Sequence, residues 1–133
     1  MSPAEIAAVI ATAQRPREAK IRSRLYGYCI EKGQPISVVE SEAALIRQVF
    51  AALTEPSTLT ATEIFAGLAE TWKNDGIRNR SHQFFSATRL QVLAGRSIYA
   101  GIETGSSGWF RISNFPPIIP EAMYWAAKRR HYK

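Results

Sequence analysis

Apolar residues recur every three or four positions in two central stretches of the chain, which is the spacing of one face of an α-helix. In the first stretch, residues 40–53, the repeat consists of Ala43, Ile46, Phe50 and Leu53. In the second stretch it consists of Ile64, Leu68 and Trp72. The second is preceded by TATE at residues 60–63, a capping box that satisfies free amides of a first helical turn. The pattern therefore predicts two amphipathic helices, the second of which ends at NDG.

The stretch FSATRLQVLAGRSIYAG, residues 85–101, predicts a shorter helix with two different faces. Ser86 is a favourable N-cap, and Gly95 is placed to end the helix. With about 100° of rotation per residue, one face carries Leu90, Leu93 and Ala94. The opposite face carries Thr88, Gln91 and Val92, with Arg89 on its flank. This helix is predicted to lie on the core with one side and to present the other side outward.

The remaining segments complete an α+β fold that is mostly helical, with a helix-turn-helix-like pair and small strands or hairpins. SPAE at residues 2–5 predicts a helix up to about Gln14, and residues 15–25 are predicted to form an extended basic arm. YGYCI predicts a short strand, and SIYAGIETGSSGWFRIS predicts two strands around a glycine–serine turn. A last helix is predicted from about Pro120. No linker is long enough to separate two domains, so a single domain is expected.

Composition narrows the class of protein. The 133 residues include 46% hydrophobic side chains, which suits one modest globular core. No apolar run approaches about 18 residues and no signal-peptide pattern occurs, so a soluble cytoplasmic protein with no membrane partner is expected. The single cysteine, Cys29, excludes an intramolecular disulfide and a multi-cysteine zinc site. His82 and His131 lie far apart without ligand spacing, so neither a metal nor a cofactor is expected.

The net charge is +6, and the basic residues lie in three clusters around an acidic middle. The first cluster is Arg15, Arg17, Lys20, Arg22 and Arg24, the second is Lys73, Arg78, Arg80, Arg89 and Arg96, and the third is Lys128, Arg129, Arg130 and Lys133. Such a distribution is typical of a surface that binds a polyphosphate, because each neutralised phosphate releases counterions. The alternatives are solvated charge runs and a basic membrane-surface helix, but none of the clusters lies on a strongly amphipathic helix.

Residue patterns that would carry catalysis are missing from the sequence. TGSSG at residues 104–108 lacks the spacing of a nucleophile elbow and suits a hairpin turn. No glycine-rich phosphate loop, pair of catalytic carboxylates or Ser/His/Asp set stands out. Six large aromatic residues are expected in or near the core rather than as stacking platforms for bases: Trp72, Phe84, Phe85, Tyr99, Trp109 and Trp125. We therefore expect a chain that is not an enzyme.

The helix predicted at residues 86–94 offers a different chemistry. It follows a capped helix and a loop, and in a helix-turn-helix pair the second helix enters the major groove of DNA. There Arg89 can pair with guanine, Gln91 can pair with adenine, and Val92 can touch a thymine methyl group. Many surface helices carry such residues, so a merely solvated face is the alternative at this point.

Four longer motifs follow one another along the chain. LYGYCIEKGQPISVVESEAALIRQVFAAL has a Tyr-Gly-Tyr strand, a turn and a helix, and LTATEIFAGLAETWKNDGI has a second helix that ends before a Gly-Ile turn. FSATRLQVLAGRSIYAG has an aromatic-Ser start and a Tyr-x-Gly finish, and FPPIIPEAMYWAA has a Pro-Pro-Ile-Ile entry to a closing helix. In this order, over about residues 20–128, they resemble the "recombinase" DNA-binding domain of large serine recombinases, a family that includes phage integrases, transposon resolvases and DNA invertases.

The resemblance implies that the chain recognises duplex DNA at an attachment or recombination site, as one module of a site-specific recombinase of prokaryotic or phage origin. In that family a separate N-terminal domain carries the catalytic serine, and a cysteine-bearing zinc ribbon usually follows. Neither is expected here, so the chain is expected to be an excised domain or a truncated remnant that does not cut DNA. By the same resemblance, residues 1–14 are the end of the linker helix, 15–25 a basic arm and 26–133 the DNA-binding domain, with self-association expected only in the full-length parent.

The predicted DNA contacts form two sets. Base readout is expected of Thr88, Arg89, Gln91 and Val92. Contacts to phosphates or to the minor groove are expected of Arg15, Arg17, Lys20, Arg22, Arg24, Arg78, Arg80 and Arg96. Two other functions stay open: a stand-alone helix-turn-helix regulator or recombination accessory factor, and an RNA-binding or protein-interaction module that uses the aromatic surface.

Overall fold

Five helices and two hairpins occur in the residues that the computed structural model describes, which are 2–12, 16–20, 24–105 and 108–131. The helices are α1 (Pro3–Thr12), α2 (Glu40–Thr54), α3 (Ala61–Asn74), α4 (Ala87–Ala94) and α5 (Glu121–His131). The strands are β1 (Tyr28–Cys29), β2 (Ser37–Val38), β3 (Ile102–Gly105) and β4 (Gly108–Arg111), and a short 3₁₀ helix covers Ser97–Ala100. The fold is α+β and mostly helical, as the sequence predicts.

Side chains cap the helices where the sequence predicts caps. At the start of α3, Thr60 Oγ1 accepts a hydrogen bond from the amide of Glu63 (3.2 Å), and Glu63 Oε1 accepts one from the amide of Thr60 (3.1 Å). At the start of α1, Ser2 Oγ accepts one from the amide of Glu5 (3.2 Å). These bonds satisfy amides that have no partner inside the helix, and the predicted capping box is confirmed.

The core lies between α2 and the elements packed on it, α3, α4 and α5. The predicted inward residues of α2 are all buried: Ala43, Ile46, Phe50 and Leu53. Four of the predicted core aromatics are buried as well: Trp72, Phe85, Tyr99 and Trp125. Phe84 and Trp109 are partly buried. Tyr124 of α5 packs on Phe50 with 6.3 Å between ring centroids, which joins α5 to α2.

Each hairpin consists of two adjacent antiparallel strands. In the first, Tyr28 of β1 lies opposite Val38 of β2. In the second, Glu103 of β3 lies opposite Phe110 of β4. The predicted glycine–serine turn falls partly on residues 106 and 107, between β3 and β4, which lie outside the described residues.

Two predicted strands are shorter than their motifs. In YGYCI, Tyr26 and Gly27 form a turn. Gly27 has a φ of +101°, and a Cβ there would lie 2.6 Å from Ile46 Cδ1, so glycine is needed at this position. In SIYAGIET the strand starts only at Ile102, because 97–100 is a 3₁₀ turn. Within this 3₁₀ turn, Ile98, Tyr99 and Ala100 are all buried. Three successive residues cannot face the core from one strand, since strand side chains alternate.

The segment 16–20 is extended, as predicted, but it is attached to the chain that follows β4. The amide of Arg17 donates to the last carbonyl of β4 (2.9 Å), and the carbonyl of Arg17 accepts from the amide of Ser113 (2.9 Å). Asn114 adds two bonds to Ala19, with Oδ1 accepting from the amide (2.8 Å) and Nδ2 donating to the carbonyl (3.0 Å). The segment 16–20 is therefore bonded to the chain around the end of β4 at Arg17 and Ala19.

Apolar residues on both sides of this segment belong to the core. They are Ile6 and Ile10 of α1, Ala19 and Leu25. The N-terminal helix and the arm thus pack on the same hydrophobic cluster as α2 to α5. Arg15 and Arg22, two of the predicted phosphate contacts, lie outside the described residues.

Candidate nucleic-acid interface

Helix α4 is buried on one side and exposed on the other, as predicted. Ser86 caps its first turn, with Oγ accepting from the amide of Arg89 (3.2 Å). Its inward residues Leu90, Leu93 and Ala94 are buried. Its outward residues Thr88, Gln91 and Val92 are exposed. Val92 is 56% exposed, the highest value for a large hydrophobic residue in the described part of the chain, so an apolar group lies between polar ones on the outer face.

The loop that precedes α4 is fixed by ring contacts and by an asparagine. The ring of Phe85 packs edge-on against Trp72 (5.3 Å between centroids) and against Tyr26 (5.4 Å). Asn79 closes the loop on itself, because its Oδ1 accepts from the amide of Gln83 (3.0 Å). The start of α4 therefore has a defined position relative to α3 and to the turn at Tyr26 and Gly27, which we call the Tyr-Gly-Tyr turn.

The connection between α3 and α4, residues 75–86, is longer than the roughly three- to four-residue turn of a helix-turn-helix. The two helices nevertheless pack on each other as the predicted pair. Arg78 stabilises the connection: its guanidinium lies 3.9 Å from the centroid of the Phe84 ring, and Nη1 donates to the carbonyl of His82 (3.0 Å).

A groove of about 320 Å³ lies on one side of the outer face of α4, and we call it the arginine groove. Its basic residues come from the arm, the loop, the first turn of α4 and the residue after its C-cap: Arg24, Arg80, Arg89 and Arg96. Thr88 and Val92 form its wall on α4. The structure thus brings together one predicted phosphate contact from the arm and two from the second basic cluster, beside three of the predicted base-reading residues.

A second groove of about 380 Å³ lies on the other side of α4, and we call it the α5 groove. Gln91 lines it from α4 and Lys128 lines it from α5. Thr88, Val92 and Arg96 line both grooves. The outer face of α4 is therefore a ridge between two concave surfaces.

Arg80 is held inside the arginine groove by Glu42 of α2. Its Nε donates to Glu42 Oε2 (2.8 Å), and its Nη2 donates to Glu42 Oε1 and to the carbonyl of Tyr28 (2.7 Å). Glu42 Oε1 also accepts from the amide of Gly27 (2.7 Å). The hydrogen bonds with Glu42 raise the pKa of Arg80. This pair joins α2, the Tyr-Gly-Tyr turn and the loop, and Glu42 neutralises the charge of Arg80.

Arg89 and Arg96 are held more loosely. Arg89 Nη2 donates to Gln83 Oε1 (3.0 Å) at the exposed surface. Arg96 Nη1 donates to the hydroxyl of Tyr99 (3.0 Å), and that hydroxyl donates to the carbonyl of Tyr26 (2.7 Å). Because a guanidinium carries several N–H donors, one such bond positions the side chain and leaves donors for an anionic ligand.

Tyr26 contributes its ring to the wall of the arginine groove, close to the Glu42–Arg80 pair. The Arg80 guanidinium lies 5.8 Å from the centroid of this ring. Burial raises the pKa of Tyr26 to about 12, and the negative charge of Glu42 acts in the same direction. The phenol is therefore neutral throughout the physiological range.

The other predicted phosphate contacts that the structure describes line neither groove. The guanidinium of Arg17 lies 4.3 Å from the centroid of the Phe110 ring, Lys20 is exposed, and Arg78 packs on Phe84. Lys128, in contrast, was not singled out from its cluster by the sequence. It lines a groove beside α4 because α5 packs on α2, a contact between distant segments that no local pattern reveals.

The described part of the chain contains neither a membrane-spanning helix nor a cluster of metal-binding side chains. None of its helices combines the length and apolar character needed to cross a membrane. Its His, Cys, Asp and Glu side chains form no group of three or more that could hold a metal ion.

No family model matches the chain, and no curated protein matches it. Two solved structures share its fold. One, described as the crystal structure of a LSR–DNA complex, has a TM-score of 0.63 at 16% identity, and the match covers 86% of this chain and 36% of that one. The other, described by the sequence requirements of the Listeria innocua prophage attP site, has a TM-score of 0.64 at 15% identity, with 88% of this chain and 46% of that one covered. The chain thus spans less than half the length of either, and the likeness shows the fold.

Proposed function

We propose that this chain binds duplex DNA in a sequence-specific way, as the recognition module of a site-specific serine recombinase. The observation that carries the proposal is the ridge of α4, which presents exposed Thr88, Gln91 and Val92 between two grooves with basic linings. The fold likeness to an LSR–DNA complex, where LSR denotes a large serine recombinase, supports the same function. The likeness to a structure concerned with a prophage attP site agrees with an attachment site as the target.

The shape of α4 suits the major groove. An α-helix with its side chains is about 10–12 Å across, and the major groove is about 12 Å wide. Hollows on both sides of the ridge leave room for the two DNA backbones. In this position Gln91 would pair with adenine, Arg89 would pair with guanine, and Val92 would contact a thymine methyl group.

The proposed phosphate contacts differ in the partners that each basic side chain already has within the protein. Arg24 and Arg96 line the arginine groove and would contact the backbone beside α4. Arg80 would act mainly by supporting this surface, because Glu42 neutralises it. Arg17, Lys20 and Arg78, which line neither groove, would add further contacts, and Arg15 and Arg22, outside the described residues, are proposed as phosphate contacts too. Any contacts that they make are expected to strengthen binding to all duplexes alike.

Strand cleavage and rejoining would be performed by another part of the recombinase, and this chain would bind without zinc. To test for cleavage, the chain is incubated with supercoiled DNA, and the DNA is then analysed by denaturing electrophoresis. To test for zinc, the purified protein is subjected to elemental analysis. DNA without attached protein and zinc far below one atom per chain are expected. A covalent protein–DNA adduct or stoichiometric zinc would contradict this part of the proposal.

Selection from a pool of randomised duplexes tests the binding function. The chain should enrich a defined sequence, and the enriched duplex should be displaced poorly by random duplex and by single-stranded RNA. The matched control is a chain with Thr88, Gln91 and Val92 all replaced by alanine, which should unfold at nearly the same temperature without enriching that sequence. Absence of any enriched sequence, or tighter binding to RNA, would favour a different function.

A further inference from the structure

We propose that Lys128 of α5 contacts a backbone phosphate on the DNA strand opposite the one contacted from the arginine groove. Helix α5 and the arm would then hold the two strands from opposite sides of α4. The inference rests on the proposed function and adds to it a contact residue and a strand assignment.

Tyr124 lies close both to the end of α4 and to Lys128. This tyrosine is buried, and its hydroxyl lies 3.5 Å from the carbonyl of Gly95, the residue that ends α4. Lys128 Nζ lies 5.7 Å from the centroid of the Tyr124 ring. The floor of the α5 groove next to Lys128 consists of the buried residues Leu53 and Ala127. The ammonium thus lies at the side of a groove whose floor belongs to the core.

The strand assignment follows from the sides of the ridge. Arg24 and Arg89 line the arginine groove and not the α5 groove, whereas Gln91 and Lys128 line the α5 groove and not the arginine groove. A helix in the major groove has one sugar–phosphate backbone along each of its sides. Basic groups on opposite sides of α4 therefore face different strands.

The neighbours of Lys128 in the third basic cluster serve elsewhere. Arg130 donates to backbone carbonyls just after α2: Nη1 reaches that of Leu59 (3.1 Å), and Nη2 reaches that of Glu55. Arg129 lines a different groove, together with Leu59 and Thr60. Of the described basic residues in this cluster, Lys128 is the one that lines a groove beside α4.

The test measures binding to the duplex that the wild-type chain enriches, as a function of salt, for Lys128→Gln and Lys128→Met. Methionine keeps an unbranched apolar stem against Tyr124, so it separates loss of charge from loss of packing. Each variant should lower the slope of log affinity against log salt by about 0.9, the value of one lost phosphate contact. Lys128→Arg should retain the slope, and Lys73→Gln, an exposed lysine of α3 outside both grooves, should also leave it unchanged.

The strand is identified with duplexes that carry a neutral methylphosphonate at one position at a time. Such a substitution weakens wild-type binding wherever a phosphate is contacted. Binding by Lys128→Gln should no longer be weakened by a methylphosphonate at one position on one strand. Binding by Arg24→Gln should no longer be weakened by one at a position on the other strand. Insensitivity on the same strand, or an unchanged salt slope in both folded Lys128 variants, overturns the inference.

Failure of the inference and failure of the proposed function give different results. If the wild-type chain enriches a duplex and depends on Gln91, but not on Lys128, only the inference is wrong. If the wild-type chain enriches no duplex, both are wrong.

Discussion

The two sides of the arginine groove use the same type of residue in different ways. On the loop side, Arg80 is bonded to both carboxylate oxygens of Glu42 and to the carbonyl of Tyr28. On the helix side, Arg89 makes one exposed hydrogen bond, to Gln83. Both residues belong to the same basic cluster of the sequence. The position of an arginine in a basic cluster therefore does not tell whether its charge is available, because that depends on the partner that folding brings to it.

The difference extends beyond the two arginines. The loop side contains half-buried Tyr26 and the mostly buried carboxylate of Glu42, so its groups bind one another. The helix side ends in exposed Thr88 and Val92, and beyond them lie solvent and the α5 groove with exposed Gln91. We therefore expect substitutions on the loop side to change stability and substitutions on the helix side to change binding.

The largest effect is expected at the buried edge of α4. Leu93→Ala should lower the free energy of unfolding by about 2–5 kcal/mol, because it removes a packed side chain and leaves a cavity. The matched change one residue away, Val92→Ala, should cost less than about 0.5 kcal/mol, since Val92 is exposed. Chemical denaturation of both variants measures the contrast, and similar losses in the two would show that α4 does not have distinct inner and outer faces.

The next effect concerns the Glu42–Arg80 pair. Glu42→Gln should destabilise the fold by about 1–3 kcal/mol, because it leaves a partly buried guanidinium with weaker acceptors. The control is Glu40→Gln, which removes the more exposed pair with Arg47 and should cost about 0–1 kcal/mol. A double-mutant cycle with Arg80→Gln gives the coupling energy, and a coupling near zero would mean that the pair does not hold the loop side together.

A smaller effect is expected for phosphate contacts. Arg24→Gln should lower the slope of log affinity against log salt by about 0.9 on any duplex, because one released counterion is lost with the contact. Arg80→Gln should leave the slope nearly unchanged at temperatures where the variant is folded. The two variants are compared by fluorescence anisotropy over a range of salt concentrations. Equal reductions of the slope would place Arg80 among the contact residues and would show that Glu42 does not neutralise it.

The smallest effect concerns alkaline pH. The pKa of Tyr26 is raised to about 12, mainly by burial, above its usual value of 10.0. As the pH rises, the unfolded chain therefore loses the phenolic proton of Tyr26 before the folded chain does. The contribution of neutral Tyr26 to the stability of the fold is complete below about pH 10 and is lost between about pH 10 and 12. Tyr26→Phe should make the decline of stability over this range shallower. Burial also raises the pKa values of Tyr28 and Tyr99, which should leave part of the decline in the variant. An identical pH dependence in wild type and variant would contradict this burial.

Much of the fold was predictable because its signals are local. Capping residues such as Thr60 and Ser86 act within one helical turn, and the inward residues of α2 and α4 repeat at helical spacing. Residues 97–100 are the exception, because their conformation depends on burial in the core rather than on a local signal. A β-rich motif with Tyr99 resembles a strand, but the segment buries three successive residues and forms a 3₁₀ turn instead.

The site was predictable only in part because its partners are distant in sequence. The exposed residues of α4 followed from one helix alone. Three features join segments that only the tertiary structure brings together. They are the pairing of Arg80 with Glu42, the two bonds between Asn114 and Ala19, and the position of Lys128 in the groove beside α4. A sequence shows how many charges a chain has, whereas the packing of α2, α5 and the loop decides which of them meet.

The most direct test of the account compares Gln91→Ala and Arg89→Ala on two duplexes, the one enriched by the wild-type chain and a scrambled duplex of the same composition. If the outer face of α4 reads bases, each variant should unfold like the wild type and lose about 1–3 kcal/mol of binding free energy on the enriched duplex, with little change on the scrambled one. Equal losses on both duplexes, or no loss on either, would show that α4 is not the reader and that its outer face is only solvated.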